Sequence, residues 1–567
     1  MIILNEQHTQ EYIHQAVLDS LSWLDELPSQ ETEILARTRK EDNPLITVCN
    51  GNNQTIIEPY TPVSSRNRAF RFSPILAVCT VIVLIAGLWT IRQTGINNRP
   101  LDNVTQPLSS AVTPGTSDSG SLPAAVSVPD ENDSGQSTLD RIDLYVEPDL
   151  LWNSETGILA DGDNIVKEPG KLPFKNSTYR KMKDSGVKVD GELVYQSNAG
   201  SVLFRDKIKL RLAGDFSLDM PQKSFRIDAA DGSFDYPLFD DRAASSYPSI
   251  LLRNSGNDSM WTRVQDGVQH RLIDRYTDTG LLTQAWRPVN VYLNNEYWGI
   301  YNMRETIDGH TICRHEQVPD SLAEDVTILR AMGSSADQGS RTDFLRMRDR
   351  IKSSSPADNP EDLAYLEQEI DIENFLDWLT VEMYFGNSDI GNAVVYQVPG
   401  GKWKCLIKDL DYALYNSQFD SVKSYLKEAG MGEKKIDNSI FLKILSVDKY
   451  RDLFFTKLGN LFRTLTTENM LKELDVCIDW IEPDMMAHVE RWAPYYDKNV
   501  ISEVPQTADK AYQYWQKRVI RLKNVMYKRP TKLYYFIQDY FNMSDQEMAV
   551  YFPDDIPKTV ADVMVSD

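Results

Sequence analysis

An α+β fold with two lobes, set behind a single membrane-spanning helix, is what the sequence predicts, and three observations predict it. The run FSPILAVCTVIVLIAGLWTI from Phe72 to Ile91 carries no charge. After a polar linker, short apolar runs punctuated by tight-turn residues read as strands. Beyond about Asp343 the apolar residues recur at helical spacing. A strand-rich half followed by a helix-rich half is an α+β pattern with a cleft between lobes. The 567 residues, 41% hydrophobic and 10% aromatic, suffice for a large core spread over about two to four domains.

Residues 1–70 are polar and mixed in charge and read as a cytoplasmic tail. One amphipathic helix is expected from about Glu11 to Leu27, with Ile13, Val17, Leu18, Leu21 and Leu24 on one face. The run at 72–91 has the length, about 20 residues, of a helix crossing a bilayer core. Arg66, Arg68 and Arg71 precede it and Trp89 stands near its far end. Basic residues on the near side place the N-terminus inside and the large C-terminal part outside the cytoplasm. Arg92 and Arg99 weaken that orientation without reversing it. A cleaved signal peptide would need a short leader and a small-residue cleavage site, and neither is present.

Residues 92–140 are rich in Ser, Pro, Gly, Asp and Asn, a composition too poor in apolar surface to offset the entropy of ordering, so they read as a flexible stalk. A folded domain is expected over 141–545 and a tail over 546–567. Strands are expected at about Lys207–Leu212, Ser224–Ile227, Ser249–Arg253, Arg287–Leu293 and Gly299–Arg304, with Asn294-Asn295 as the turn of a hairpin. Gly299 between aromatics signals a close backbone approach. Helices follow around Ile372–Met383 and Phe454–Phe462.

The net charge of −23 argues against nucleic acid as a partner, since phosphate binding needs a basic face. The five cysteines are widely spaced, one of them inside the apolar run, and imply no disulfide framework. His310 and His315 read as ordinary loop residues, because no carboxylate or cysteine pair completes a ligand set.

The segment Asn387-Ser-Asp389-Ile-Gly-Asn392 reads as a loop after a helix. A hairpin then delivers Asp409 and Asp411. These two carboxylates can serve one edge only if the strand has ended before them. A loop Asp and Asn converging with a strand-end Asp is how phosphoryl-transfer sites orient a hydroxyl and hold magnesium. By spacing alone, Asp-x-Asp pairs read as solvated turns. A second cluster runs from Arg211 through Gly214 and Ser217 to Lys223, a bend between strands that could bring an ammonium to phosphates, though by spacing Lys223 is a solvated strand residue. Leu251 to Asp258 form a third cluster, with Arg263 and Asp266 beyond it, and Glu305 ends the fourth as a hinge group or a plain exposed carboxylate.

Taken in order, these segments resemble the CotH kinase family, named for spore coat protein H. The resemblance rests on PQKSFRI at 221–227 with YPLF at 236–239, LLRNSGND at 251–258, RPVNVYLNNEYWGIYNMRETID at 287–308, ENFLDWLTVEMYFGNSD at 373–389 and KWKCLIKDLDYAL at 402–414. LLWNSETGIL at 150–159 and HVERW at 488–492 are similar too. It covers the chain from near Asp143 to near Lys532.

The resemblance implies an atypical protein-kinase-like fold that uses ATP and Mg2+ to phosphorylate secreted or coat proteins. It implies Asp389 as catalytic-loop aspartate, Lys223 on the nucleotide phosphates with Arg211, Gly214 and Ser217 around them, and Glu305 near the nucleotide hinge. Asn392 would be a metal ligand together with one of Asp409 and Asp411, Asp409 being favoured because it comes first in the pair. Two residues depart from the family pattern: Leu218 after Ser217, where an arginine is usual, and Lys408 before Asp409, where an aromatic is common. The expected activity is phosphorylation of Ser or Thr on extracytoplasmic proteins. Its rivals are a weakly active or inactive scaffold or adhesin, and a phosphotransferase that adds AMP.

Overall fold

The structure, a computed structural model, describes residues 48–49, 55–56, 137–160, 178–496, 504–554 and 556. The chain divides into two compact units, Met1–Ala125 and Val126–Asp567. In the first, the described residues form one antiparallel pair, Val48–Cys49 with Thr55–Ile56. The run at 72–91, the helix expected at 11–27 and the linker up to residue 136 lie outside the described residues. Among the described residues no helix is long and apolar enough to cross a membrane.

The second unit is α+β. Its strand-rich half holds β1 (Asp140–Val146), β2 (Val189–Gln196), β3 (Val202–Ala213), β4 (Ser224–Ala229), β5 (Ser249–Arg253), β6 (Trp286–Leu293) and β7 (Glu296–Glu305). They close into a barrel in the order β1-β2-β3-β4-β5-β7-β6. The β6–β1 pair that closes it is parallel, and the others are antiparallel. Closure leaves no exposed sheet edge to template aggregation. Alternate residues fill the interior, among them Leu193, Tyr195, Ile208, Leu210, Phe225, Ile227, Ile250, Leu252, Val289, Val291, Tyr301 and Met303. The β6–β7 turn is the expected Asn294-Asn295, both at positive φ (50° and 70°), the geometry that matches strand twist.

A small antiparallel sheet follows, built from β8 (Thr327–Arg330), β9 (Ser335–Gln338), β10 (Val394–Gln397) and β11 (Lys404–Leu406) in the order β9-β8-β10-β11. The helices that organise the rest are α1 (Gln265–Tyr276), α2 (Ile372–Phe385), α3 (Asp448–Thr464), α4 (Thr467–Trp492), α5 (Ala508–Phe541) and α6 (Asp545–Tyr551). Their apolar faces meet in one core that includes Phe375, Leu379, Met383, Phe454, Leu458, Leu461 and Phe462.

Both domain limits shift from the sequence expectation. Strand pairing begins at Asp140, and Leu139 is already buried. At the other end α6 continues the fold past residue 545. Phe552 is buried, with its ring 5.2 Å from that of Phe462. The first two barrel strands also escaped the sequence reading, because β1 mixes acidic residues with apolar ones and β2 follows a long polar stretch.

Helix α4 ties the helical half to the barrel at Gly299. Trp492 Nε1 donates to the Trp298 carbonyl at 2.8 Å, and the Ile300 amide donates to His488 Nδ1 at 3.1 Å. Gly299 has φ 103°, and a Cβ there would fall 2.7 Å from Trp492 Nε1 and 2.8 Å from His488 Nδ1. The close approach expected at this glycine is therefore against α4.

Candidate active site

Helix α2 sets the first part of the site. Asp371 caps its start, and Gly386 in the left-handed region (φ 65°) ends it. Its last carbonyls, left without helical partners, accept from the buried Arg529 of α5. Arg529 Nε reaches the Tyr384 carbonyl at 2.9 Å and Nη2 reaches that of Met383 at 2.6 Å. The chain leaves this fixed end directly into the loop that carries Asp389 and Asn392. Under the loop, Tyr425 Oη lies 3.1 Å from both Glu382 Oε2 and the Asn387 carbonyl oxygen. Burial pushes the Glu382 carboxyl up to about 7.

Strand β11 ends at Leu406, and the chain turns through Asp409, which sits at φ 59°. The strand has therefore ended before both carboxylates, which is the condition the sequence left open. The Asn392 side-chain amide joins the two halves of the site. Its Nδ2 donates to Asp389 Oδ2 at 3.2 Å and to Asp409 Oδ2 at 3.1 Å. Lys434 Nζ lies 3.0 Å from the other Asp389 oxygen, and the Asp389 side chain keeps 30% exposure, so a substrate hydroxyl can reach it.

On the barrel side, Arg253 at the end of β5 meets both strand-end carboxylates. Its Nη2 donates to Asp409 Oδ1 and lies 3.1 Å from Asp411 Oδ2. The Asn257 backbone amide also donates to Asp411 Oδ2, at 2.9 Å. Gly256 permits this packing, because a Cβ there would fall 2.5 Å from Asp411 Oδ2. Asp266 on α1 forms the layer beneath. It accepts from the Leu410 amide at 2.8 Å and pairs with Arg304 Nη2 at 2.8 Å. Burial works to raise the Asp266 carboxyl, but Arg304, Arg253 and a hydrogen bond from His270 outweigh it and hold it well below the usual range. Burial and the neighbouring Asp409 charge push the Asp411 carboxyl well above that range, against the pull of Arg253.

Asp409, Asp411 and Asn392 suit a hard divalent cation. They offer oxygen donors of the kind magnesium takes, and one buried oxygen, Asp411 Oδ1, has no hydrogen-bond partner. Among the described residues no group of three His, Cys, Asp or Glu side chains forms a metal cage by itself. A magnesium site that borrows most of its ligands from nucleotide phosphate and water needs only one or two carboxylates.

The structure thus brings together Asp389, Asn392, Asp409 and Asp411. Lys223 is engaged by its own loop. Its Nζ donates to the Leu218 carbonyl at 2.7 Å and the Met220 carbonyl at 2.5 Å, and it lies 4.1 Å from the centre of the Tyr179 ring. This corrects the picture of a solvated strand lysine: Lys223 is buried just before β4 starts. Gly214 does form the expected bend (φ 96°), held by Asn254 Nδ2, which donates to the Ser217 carbonyl at 3.3 Å. Arg211 stands on β3 opposite Arg226, 3.9 Å from Asp228. Glu305 is not an exposed carboxylate. It is buried between Arg242 (3.5 Å) and Arg314 (3.2 Å) and lines a cavity of about 240 Å³ with Thr283 and His315. Strand alternation sends its neighbour Arg304 to the opposite face, toward Asp266.

Sequence reasoning placed Arg253, Gly256 and Asp266 in or beside one cluster but assigned none of them its role, as bridge, floor and support. The usable signals were a glycine two residues after an Asn in LLRNSGND and a charged residue, Asp266, in the first turn of a helix buried from Gln265 to Ile273. Lys408, noted for its charge, is pulled down by burial and by Arg330, and its Nζ lies 3.7 Å from Asp337.

A family model described as CotH kinase protein matches residues 210–533, from within β3 to the last third of α5. No curated protein matches the chain.

Proposed function

The chain belongs to the CotH kinase family, and from that premise we propose that it is a membrane-anchored protein kinase acting on Ser or Thr of extracytoplasmic proteins. ATP would be the donor and magnesium the metal, in a kinase-like fold carried outside the cytoplasm by a helix at 72–91. The observation that carries this reading is the Asn392 amide, which holds the loop carboxylate Asp389 and the strand-end carboxylate Asp409 in one group.

Asp389 would accept a hydrogen bond from the substrate hydroxyl and take its proton as the oxygen attacks. Asn392, Asp409 and Asp411 would hold magnesium. Bound together, ATP and magnesium supply the transferable phosphoryl group and the positive charge that offsets its transition state. Arg253 keeps Asp409 and Asp411 from repelling each other and fixes where their oxygens stand. Most of the catalysis asked of the chain is positioning.

The full-length chain in detergent, given labelled ATP, magnesium and a Ser/Thr-rich acceptor protein, is expected to transfer label. Equal label from wild type and Asp389→Ala would sink the kinase reading. Engagement of Lys223 by backbone carbonyls favours a second reading, a scaffold or adhesin with weak or no turnover. That reading expects no transfer, and binding of surface proteins or glycans that persists in Asp389→Ala.

A further inference from the structure

The chain carries a second ammonium close to the candidate metal ligands, one with little to hold it. Lys408 directly precedes Asp409, and its side chain is only 26% exposed. Among the described residues its Nζ makes no hydrogen bond. Its one ion partner among those residues is Asp337 at 3.7 Å, and that carboxylate already accepts from Arg330 Nε at 2.6 Å. A largely dehydrated ammonium with three donors and half a share of one carboxylate is well placed to take an anion.

Arg330 extends the same site toward the glycine bend. Its Nη1 lies 3.8 Å from Asp215 Oδ2, the residue after Gly214. A chain of contacts therefore runs from the bend at Asp215 through Arg330 and Asp337 to Lys408 and Asp409. Asp337 offsets one of the two cations, and Asp215 is shared with Lys183 at 2.6 Å. Arg180 also reaches Asp215, at 3.5 Å, so four cations (Lys408, Arg330, Lys183 and Arg180) contact the two carboxylates Asp337 and Asp215, beside the carboxylates suited to a divalent cation.

We propose that Lys408 and Arg330 are the side chains that bind the phosphates of a nucleoside di- or triphosphate in this chain, in place of Lys223. The proposal rests on the kinase reading. Lys223 acts instead as an internal cross-link, closing the Leu218–Met220 segment onto the start of β4. A charge-assisted contact to phosphate is worth about 1.5–3 kcal/mol, which is roughly ten- to a hundred-fold in affinity.

The test is nucleotide affinity of the full-length chain in detergent, measured with ATP, ADP and adenosine. Lys408→Met and Arg330→Gln are each expected to weaken ATP and ADP about tenfold or more and to leave adenosine unchanged. Lys408→Arg is expected to restore most of the loss. Lys223→Met is expected to lower the melting temperature and to weaken all three ligands alike. Wild-type affinity for ATP in both Lys408→Met and Arg330→Gln would overturn the proposal and leave the kinase reading standing. So would a loss of ATP affinity confined to Lys223→Met. A wild-type chain that binds none of the three would overturn both.

Discussion

Arg253 and Asp411 form an ion pair at 3.1 Å in which the arginine side chain is 15% exposed and the aspartate 1%. A pair this buried is weak evidence for net stability, but removing one partner strands the other. Arg253→Met is expected to cost about 3–5 kcal/mol in urea unfolding at pH 7. Adding Asp411→Asn to it should recover much of that loss. Additive penalties in the double variant would mean that the two residues do not act as a pair.

Asn392 should separate catalysis from folding. Its side-chain amide touches the two carboxylates from a partly exposed loop. Asn392→Ala is expected to lower phosphate transfer by about a hundred-fold or more while moving the melting temperature little. Asn392→Asp, which loses both donated hydrogen bonds and adds charge, should be no better. An Asn392→Ala enzyme with full activity would remove the central observation behind the proposed chemistry.

Glu382 predicts a pH dependence of stability. Its carboxyl is raised to about 7 by burial, against hydrogen bonds from Asn387 and Tyr425. A protonated Glu382 can donate to Tyr425 Oη while that hydroxyl donates to the Asn387 carbonyl, so every group is satisfied. The folded state then holds a proton that the unfolded chain releases at its lower, ordinary value. The stabilisation is complete below that value and is lost as pH rises through about 7. Glu382→Gln, which keeps the shape without the charge, should gain on wild type by roughly 1–3 kcal/mol between pH 5 and pH 8. Parallel stability curves for the two proteins would contradict this.

Gly299→Ala is expected to loosen the joint between barrel and α4. The added Cβ meets Trp492 and His488, and the backbone sits at φ 103°. Steric strain and conformational strain together should cost roughly 2–5 kcal/mol, read as a lower melting temperature. Trimming the contact with Trp492→Phe in the same chain should relieve only the steric part.

As proposed, a helix at 72–91 would set the side of a membrane on which the C-terminal domain acts. Protease applied to intact cells should degrade the C-terminal domain and spare an epitope placed before Arg66. The opposite pattern would reverse the orientation and put the domain in the cytoplasm.

Local signals carried much of the fold and the core of the site. Asn294-Asn295 announces its own turn because those residues tolerate positive φ, and α2 announces itself by apolar residues at helical spacing. Asp389, Asn392, Asp409 and Asp411 were recognisable because each follows an element whose end is written nearby, at Gly386 or after Leu406. The contacts of Lys223 were not legible, because a strand-flanking lysine has no local feature that shows its ammonium folding back onto Leu218 and Met220.

By itself the sequence determined the α+β order, the turn residues, the charge-free run at 72–91 and which carboxylates cluster by position. These follow from periodicity and from backbone preferences that act over a few residues. Only the tertiary structure decided that β6 closes onto β1, that Arg253 spans Asp409 and Asp411, and that Arg529 caps α2. Arg253 and Asp411 stand 158 residues apart, and no local preference carries over that distance. What sets their pairing is the cost of leaving either charge buried alone.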